Sequence, residues 1–173
     1  TPLRDTMKKY LEKKEGFDFE NNELFIVSGG QQCADLTTKA LVNEGDVVLT
    51  EEPAFVGCLN TFRSYGAKLV GIPMEQDGMN INALEEALKA NPDAKLLYTI
   101  PSFQNPTGIT TSLEKRKKVY ELCCKYDIAI LEDNPYGELR FAGENVPTIK
   151  SMDTEGRVIS VSYTHLRAHE TRR

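Results

Sequence analysis

The chain has little of what metal-dependent and redox-dependent sites are built from. It holds four cysteines and two histidines in 173 residues. Cys33, Cys58, Cys123 and Cys124 form no Cys-x-x-Cys, and the adjacent Cys123-Cys124 falls on a predicted helix, a poor frame for disulfides. Reduced, buried thiols in a cytosolic protein fit better than a redox or metal role. Residues 1–160 contain no basic cluster and the net charge is −5, which argues against nucleic-acid and anionic-membrane partners. No apolar run approaches the roughly 20 residues of a membrane span. No signal peptide is recognisable, and the chain opens Thr1-Pro2-Leu3-Arg4 without a Met.

The remainder has ordinary globular composition, 40% hydrophobic and 27% charged, enough for a real core. Thr1-Pro2 predicts a helix start, with a hydroxyl at the cap and Pro where a missing N–H costs nothing, and Gly16 predicts its end. Short apolar runs predict strands at 24–27, 47–49, 68–72, 95–100, 127–131 and 157–159. Helices are predicted from Ser28 to about Val42, from Glu52 to about Arg63, over 80–89 and over 111–125, with a turn at 77–80. Strands alternating with helices at this rhythm predict an α/β fold with a mostly parallel sheet.

Four loops after predicted strands carry unusual residues. Gly29-Gly30, before a helix, lets backbone N–H groups approach an anion at the positive end of the helix dipole, and is equally a tight turn. Phe55 is either core or a ring that stacks on a planar group. Asn105-Pro106-Thr107-Gly108 is either a helix-preceding turn or a rigid bend that aims an amide, and we expect its Asn105-Pro106 peptide to be cis. Asp133, in Glu132-Asp133-Asn134-Pro135-Tyr136-Gly137, is either an Asx-turn or the partner of a cationic ring nitrogen. Taken together, an amide, a carboxylate and a phenol at strand ends suit a flat heteroaromatic cofactor with a ring nitrogen and a phenolic oxygen, bound where open α/β sheets bind ligands.

Ser28-Gly29-Gly30-Gln31-Gln32, Gly45-Asp46-Val47-Val48, Glu52-Pro53, Asn105-Pro106-Thr107-Gly108 and the Glu132–Gly137 hexapeptide together resemble the class I/II aminotransferases, fold type I enzymes of pyridoxal 5′-phosphate (PLP). Among them the 2-aminoadipate and aromatic aminotransferases are the most similar. The resemblance implies a three-layer α/β large domain, present only in part, over residues 1–160. It implies that Gly29, Gly30 and Gln31 hold the cofactor phosphate and that Phe55 stacks on the ring, in place of the Tyr common in this branch. Asn105 and Tyr136 would bind the ring hydroxyl, and Asp133 the ring nitrogen. It further implies amino transfer between an α-amino acid and a 2-oxo acid, a cytoplasmic location and a homodimer. Two alternatives share these loops: the aminotransferase-like sensor half of a winged-helix transcription regulator, and a PLP-dependent carbon–sulfur lyase.

The lysine that carries the cofactor in this family, in a Ser-x-Ser-Lys-type loop after the next strand, has no counterpart here. Lys150 is the only lysine after Asp133; it is too close to serve and reads as a surface residue. Residues 161–173 match no aminotransferase pattern and look like a translated sequencing adapter, so they are expected to be a non-native tail. His165 and His169, at i, i+4 spacing, lie in that tail and are not expected to bind metal. The fragment is therefore expected to be inactive, and to lack both an upstream arm and the smaller domain.

Overall fold

A computed structural model describes residues 1–163; the histidines and most of the expected tail lie outside the described residues. Its elements run α1 (Pro2–Glu15), α2 (Gly29–Leu41), β1 (Val47–Glu52), α3 (Val56–Ser64), β2 (Lys68–Glu75), β3 (Gly78–Met79), α4 (Ile81–Ala90), β4 (Leu96–Thr99), α5 (Leu113–Lys125), β5 (Ala129–Asn134) and β6 (Val158–Ser162). They form one sheet of order β3-β2-β1-β4-β5-β6. Every pair is parallel except the β2–β3 hairpin. The chain leaves β1 for β2 on one side and returns as β4 on the other. The crevice at the C-terminal ends of β1 and β4 is thus a topological switch point, where such sheets bind ligands.

The period-2 alternation of side chains divides the core into two layers. Leu49, Leu97 and Ile130 face one cluster with Leu84 and Leu88 of α4 and Val119 and Cys123 of α5. Val48, Leu96, Tyr98 and Leu131 face the other, with Ala34 of α2 and Cys58 and Phe62 of α3. The result is the three-layer α/β arrangement expected, and all four cysteines are free thiols.

Several local expectations fail, each for a physical reason. Segment 24–27 is not a strand: it has no ladder partner among the described residues, and Phe25 is 78% exposed. Helix α3 begins at Val56 rather than Glu52, because Glu52 precedes a proline, which disfavours helical backbone, and instead extends β1 opposite Pro73. The turn expected at 77–80 contains the short strand β3, and Asn80 caps α4 by accepting from the Ala83 N–H at 2.8 Å. Thr1 does precede α1, but its hydroxyl makes no cap bond. β5 and β6 run further than predicted because their ladder continues through Asp133 opposite Val161 and Asn134 opposite Ser162, two residues past the boundary expected at 160. Asp133 therefore belongs to the end of a strand rather than to the loop beyond it. Lys150 is not a free surface residue: its ammonium donates to Asn22 Oδ1 at 2.6 Å and to Asp153 Oδ2 at 2.8 Å.

Candidate functional site

The ladder that carries β5 to its last residue buries the Asp133 carboxylate, 6% exposed, on the α2/α3 side of the sheet. Oδ2 accepts one hydrogen bond, from the Tyr98 hydroxyl at 3.1 Å. Oδ1 is buried and has no partner. Burial pushes the carboxyl up to about 6, opposed by the hydroxyls of Tyr98 and Tyr163. Cys58 of α3 lies in the same apolar layer; burial raises its thiol to about 11, and the Asp133 charge adds to the rise. A buried acceptor without a donor costs about 1–3 kcal/mol. The site is therefore arranged to receive a donor, and a protonated ring nitrogen is one.

Asn105 and Tyr136 come from loops after β4 and β5, yet the Asn105 Nδ2 donates to the Tyr136 hydroxyl at 3.3 Å. Both side chains are half-buried, so an oxygen between them would meet an amide and a phenol together. The Asn105–Pro106 peptide is cis, as expected, and so is Glu52–Pro53, which the sequence did not suggest.

Gly29 and Gly30 form the first turn of α2, which has no side-chain cap and no acidic residue in that turn. Its leading N–H groups are thus open to an anion. Gln31 differs from a simple phosphate ligand: its Nε2 donates to the Gly57 carbonyl at 3.2 Å and to the Thr61 hydroxyl, tying α2 to α3. Phe55 caps α3 and is half-buried. A Cβ on Gly57 would stand 2.5 Å from the Phe55 ring and 2.9 Å from Gln31 Oε1, so only glycine lets the two meet there. The phenol of Tyr163 reaches over Gly30 so closely that a Cβ on that glycine would overlap it. The Tyr163 phenol thus stands between the first turn of α2 and Asp133.

Sequence reasoning did not identify the groups that support these residues. Glu51, 2% exposed, accepts from the Thr99 hydroxyl at 2.5 Å, from the Ile100 N–H at 3.2 Å on both oxygens, and from Gln104 Nε2 at 3.0 Å. Burial still pushes its carboxyl up to about 7. Glu132 accepts the N–H groups of Ile149 and Lys150 at 2.7 and 2.9 Å. Arg116 is fully buried and donates to the carbonyls of Thr111, Pro101, Pro147 and Val146 and to the Ser102 hydroxyl, over 2.6–3.4 Å. An acid adjoining an apolar run, as in Thr50-Glu51 and Leu131-Glu132, was the available signal.

Comparisons with known proteins identify the family of this chain. A family model described as aminotransferase class I and II matches residues 1–164. "Aromatic-amino-acid aminotransferase 1" of Thermococcus litoralis is 41% identical over 163 residues, which are 92% of this chain and 39% of that protein. "Probable rhizopine catabolism regulatory protein MocR" of Rhizobium meliloti is 34% identical over 91% of this chain and 31% of its own length. Among solved structures, the kynurenine aminotransferase of Pyrococcus horikoshii, in complex with PMP, superposes with a TM-score of 0.90 at 41% identity. That match covers 93% of this chain and 41% of the other. The chain thus spans about two fifths or less of the length of the relatives it matches.

Proposed function

We propose, for a chain that belongs to the class I and class II aminotransferase family, that residues 1–160 are the cofactor-holding part of a PLP-dependent aminotransferase. The whole protein would move an amino group from an α-amino acid to a 2-oxo acid. The observation that carries this reading is the buried, donorless Oδ1 of Asp133, set beside an uncapped helix N-terminus. PLP, when bound, supplies a cationic ring that withdraws electrons from the substrate carbon. Asp133 would keep the ring nitrogen protonated, because an opposite charge nearby favours the charged form. Asn105 and Tyr136 would bind the ring hydroxyl, and Phe55 the ring face. The first-turn N–H groups at Gly29, Gly30 and Gln31 would bind the phosphate, the Gln31 side chain being engaged with α3.

In this reading the residues after Ser162, where β6 ends, lead into a non-native tail, and Tyr163 competes for the ring space. No lysine follows Asp133 except Lys150, whose ammonium is committed elsewhere, so the 173-residue chain would bind cofactor without holding it covalently. The whole enzyme would be a cytoplasmic homodimer; no helix among the described residues is long and apolar enough to cross a membrane. The match to a regulatory protein supports a second reading, the sensor half of a transcription regulator. That reading places a DNA-binding module upstream, and the full reading frame decides between the two.

Titration of the chain with pyridoxamine 5′-phosphate (PMP), followed by ³¹P NMR, tests the cofactor reading. Saturable binding is expected, weaker in Asp133→Ala and tighter in Tyr163→Ala. Loading with PLP and reducing with borohydride should fix no cofactor on a single lysine. Absence of PMP binding in both the parent chain and Tyr163→Ala would refute the reading.

A further inference from the structure

Gln104 precedes Asn105 and lies outside the set of groups assigned to the cofactor. Its side chain is 1% exposed, yet every hydrogen-bonding position of its amide is used. Nε2 donates to Glu51 Oε2 at 3.0 Å and to the Pro53 carbonyl at 2.8 Å. Oε1 accepts from the N–H of Thr107 at 2.9 Å and from its hydroxyl at 2.7 Å. The Thr107 N–H can only donate, which fixes the orientation of the amide. Its main chain closes the same loop: the Gln104 N–H donates to Ile109 O at 2.8 Å, and Gly108 N–H donates to Gln104 O at 2.6 Å.

A turn of this shape needs only the Oε1 half of that network. The Nε2 half crosses the switch point to the end of β1 and the loop that leads to Phe55. Glu51 is in turn held from β4 by Thr99 and Ile100. One amide therefore joins the loop that carries the ring-stacking residue to the loop that carries the ring-hydroxyl ligand.

We propose that Gln104 is a positioning residue for Asn105: bound to Glu51 and Pro53, it sets the distance between Asn105 and Phe55 and hence the hold on the ring hydroxyl. The inference rests on the reading of Asn105 as the ligand of that hydroxyl. Its energy is that of one hydrogen bond made well or badly, about three- to tenfold in affinity.

The test measures binding of PMP, and of the PMP analogue that lacks the ring hydroxyl, to the 173-residue chain and its Gln104→Leu and Gln104→Glu variants. Gln104→Leu should bind PMP about three- to tenfold more weakly and the analogue as well as the parent does. Gln104→Glu sets a second carboxyl against Glu51. The two can share a proton in mild acid but repel when both ionise. Its PMP affinity, taken as a ratio to the parent to cancel the titration of Asp133, should match the parent in mild acid and fall as pH rises. Should Gln104→Leu fail to fold, that pH profile alone decides. Equal weakening of PMP and analogue, unchanged PMP binding in Gln104→Leu, or a flat ratio in Gln104→Glu would each overturn the positioning role while leaving the cofactor reading intact. Absence of PMP binding in both the parent and Tyr163→Ala would overturn both.

Discussion

The two faces of the sheet treat buried acids at the ends of β1 and β5 differently. On the α4/α5 face, Glu51 and Glu132 are 2% and 0% exposed, and each of their oxygens has a donor. On the α2/α3 face, Asp133 is 6% exposed; Tyr98 donates to one oxygen, the other has no hydrogen-bond partner, and the Tyr163 hydroxyl lies near the carboxylate. Burial raises all three carboxyls, so hydrogen bonding does not by itself cancel the cost of desolvation. What separates the faces is completeness. The saturated side fixes loops, and the unsaturated side holds the carboxylate that the proposed function pairs with the cofactor.

The largest effect should come from breaking the saturated side at Arg116. Its guanidinium binds main-chain carbonyls before and after the Asn105 loop and at 146–147, and its charge opposes that of Glu132. Desolvation lowers it only to about 10, so it is charged at neutral pH. Arg116→Met should lose about 3–5 kcal/mol in urea unfolding, the usual cost of removing one partner from a buried charge cluster. A loss below about 1 kcal/mol would mean that the strand ladders alone hold these loops.

How far the sequence foretells this arrangement follows from the range of each interaction. The parallel strands and the helices between them are legible, because apolar runs such as Leu96-Leu97 and Ile130-Leu131 are local signals. Asp133, Asn105 and Tyr136 are legible as unusual residues in punctuated loops. Glu51, Gln104 and Arg116 are not, because the bonds that make them a buried polar network, such as Gln104 to Glu51, reach as far as 53 positions along the chain, and an acid beside an apolar run is only a faint local mark of it. Segment 24–27 misleads for a related reason: an apolar run announces a strand, but only a neighbour with a free edge makes it one.

Removing the charge on the unsaturated side should have the opposite sign to Arg116→Met. The Asp133 carboxyl moves from its ordinary 3.8 to about 6 in the folded chain, so the folded state keeps its proton longer than the unfolded state. Stability from this group is complete below the unfolded value and is lost as pH rises through about 6. Glu51, raised from 4.5 to about 7, works in the same direction. Without cofactor, Asp133→Asn should therefore be more stable than the parent at pH 8, by on the order of 2–3 kcal/mol, and nearly equal to it at pH 4. Urea midpoints measured across that range check this; parallel curves for the two proteins would show that Asp133 is not desolvated.

Smaller paired changes distinguish the faces by pH alone. Tyr98→Phe takes the donor from Asp133 Oδ2, a change that matters most while the carboxylate is ionised, and leaves the nearby Tyr163 hydroxyl in place. The loss should be about 1–3 kcal/mol at pH 8 and should shrink towards pH 4. Ser102→Ala takes one acceptor, 3.0 Å away, from Arg116, whose charge does not change over that range. Its loss should be about 0.5–1.5 kcal/mol and the same at both pH values. Bound PMP should remove the pH dependence of Tyr98→Phe, because the ring cation then stabilises the ionised carboxylate, and should leave Ser102→Ala untouched. If both variants respond alike to pH and to PMP, completeness of hydrogen bonding does not distinguish scaffold from site in this sheet.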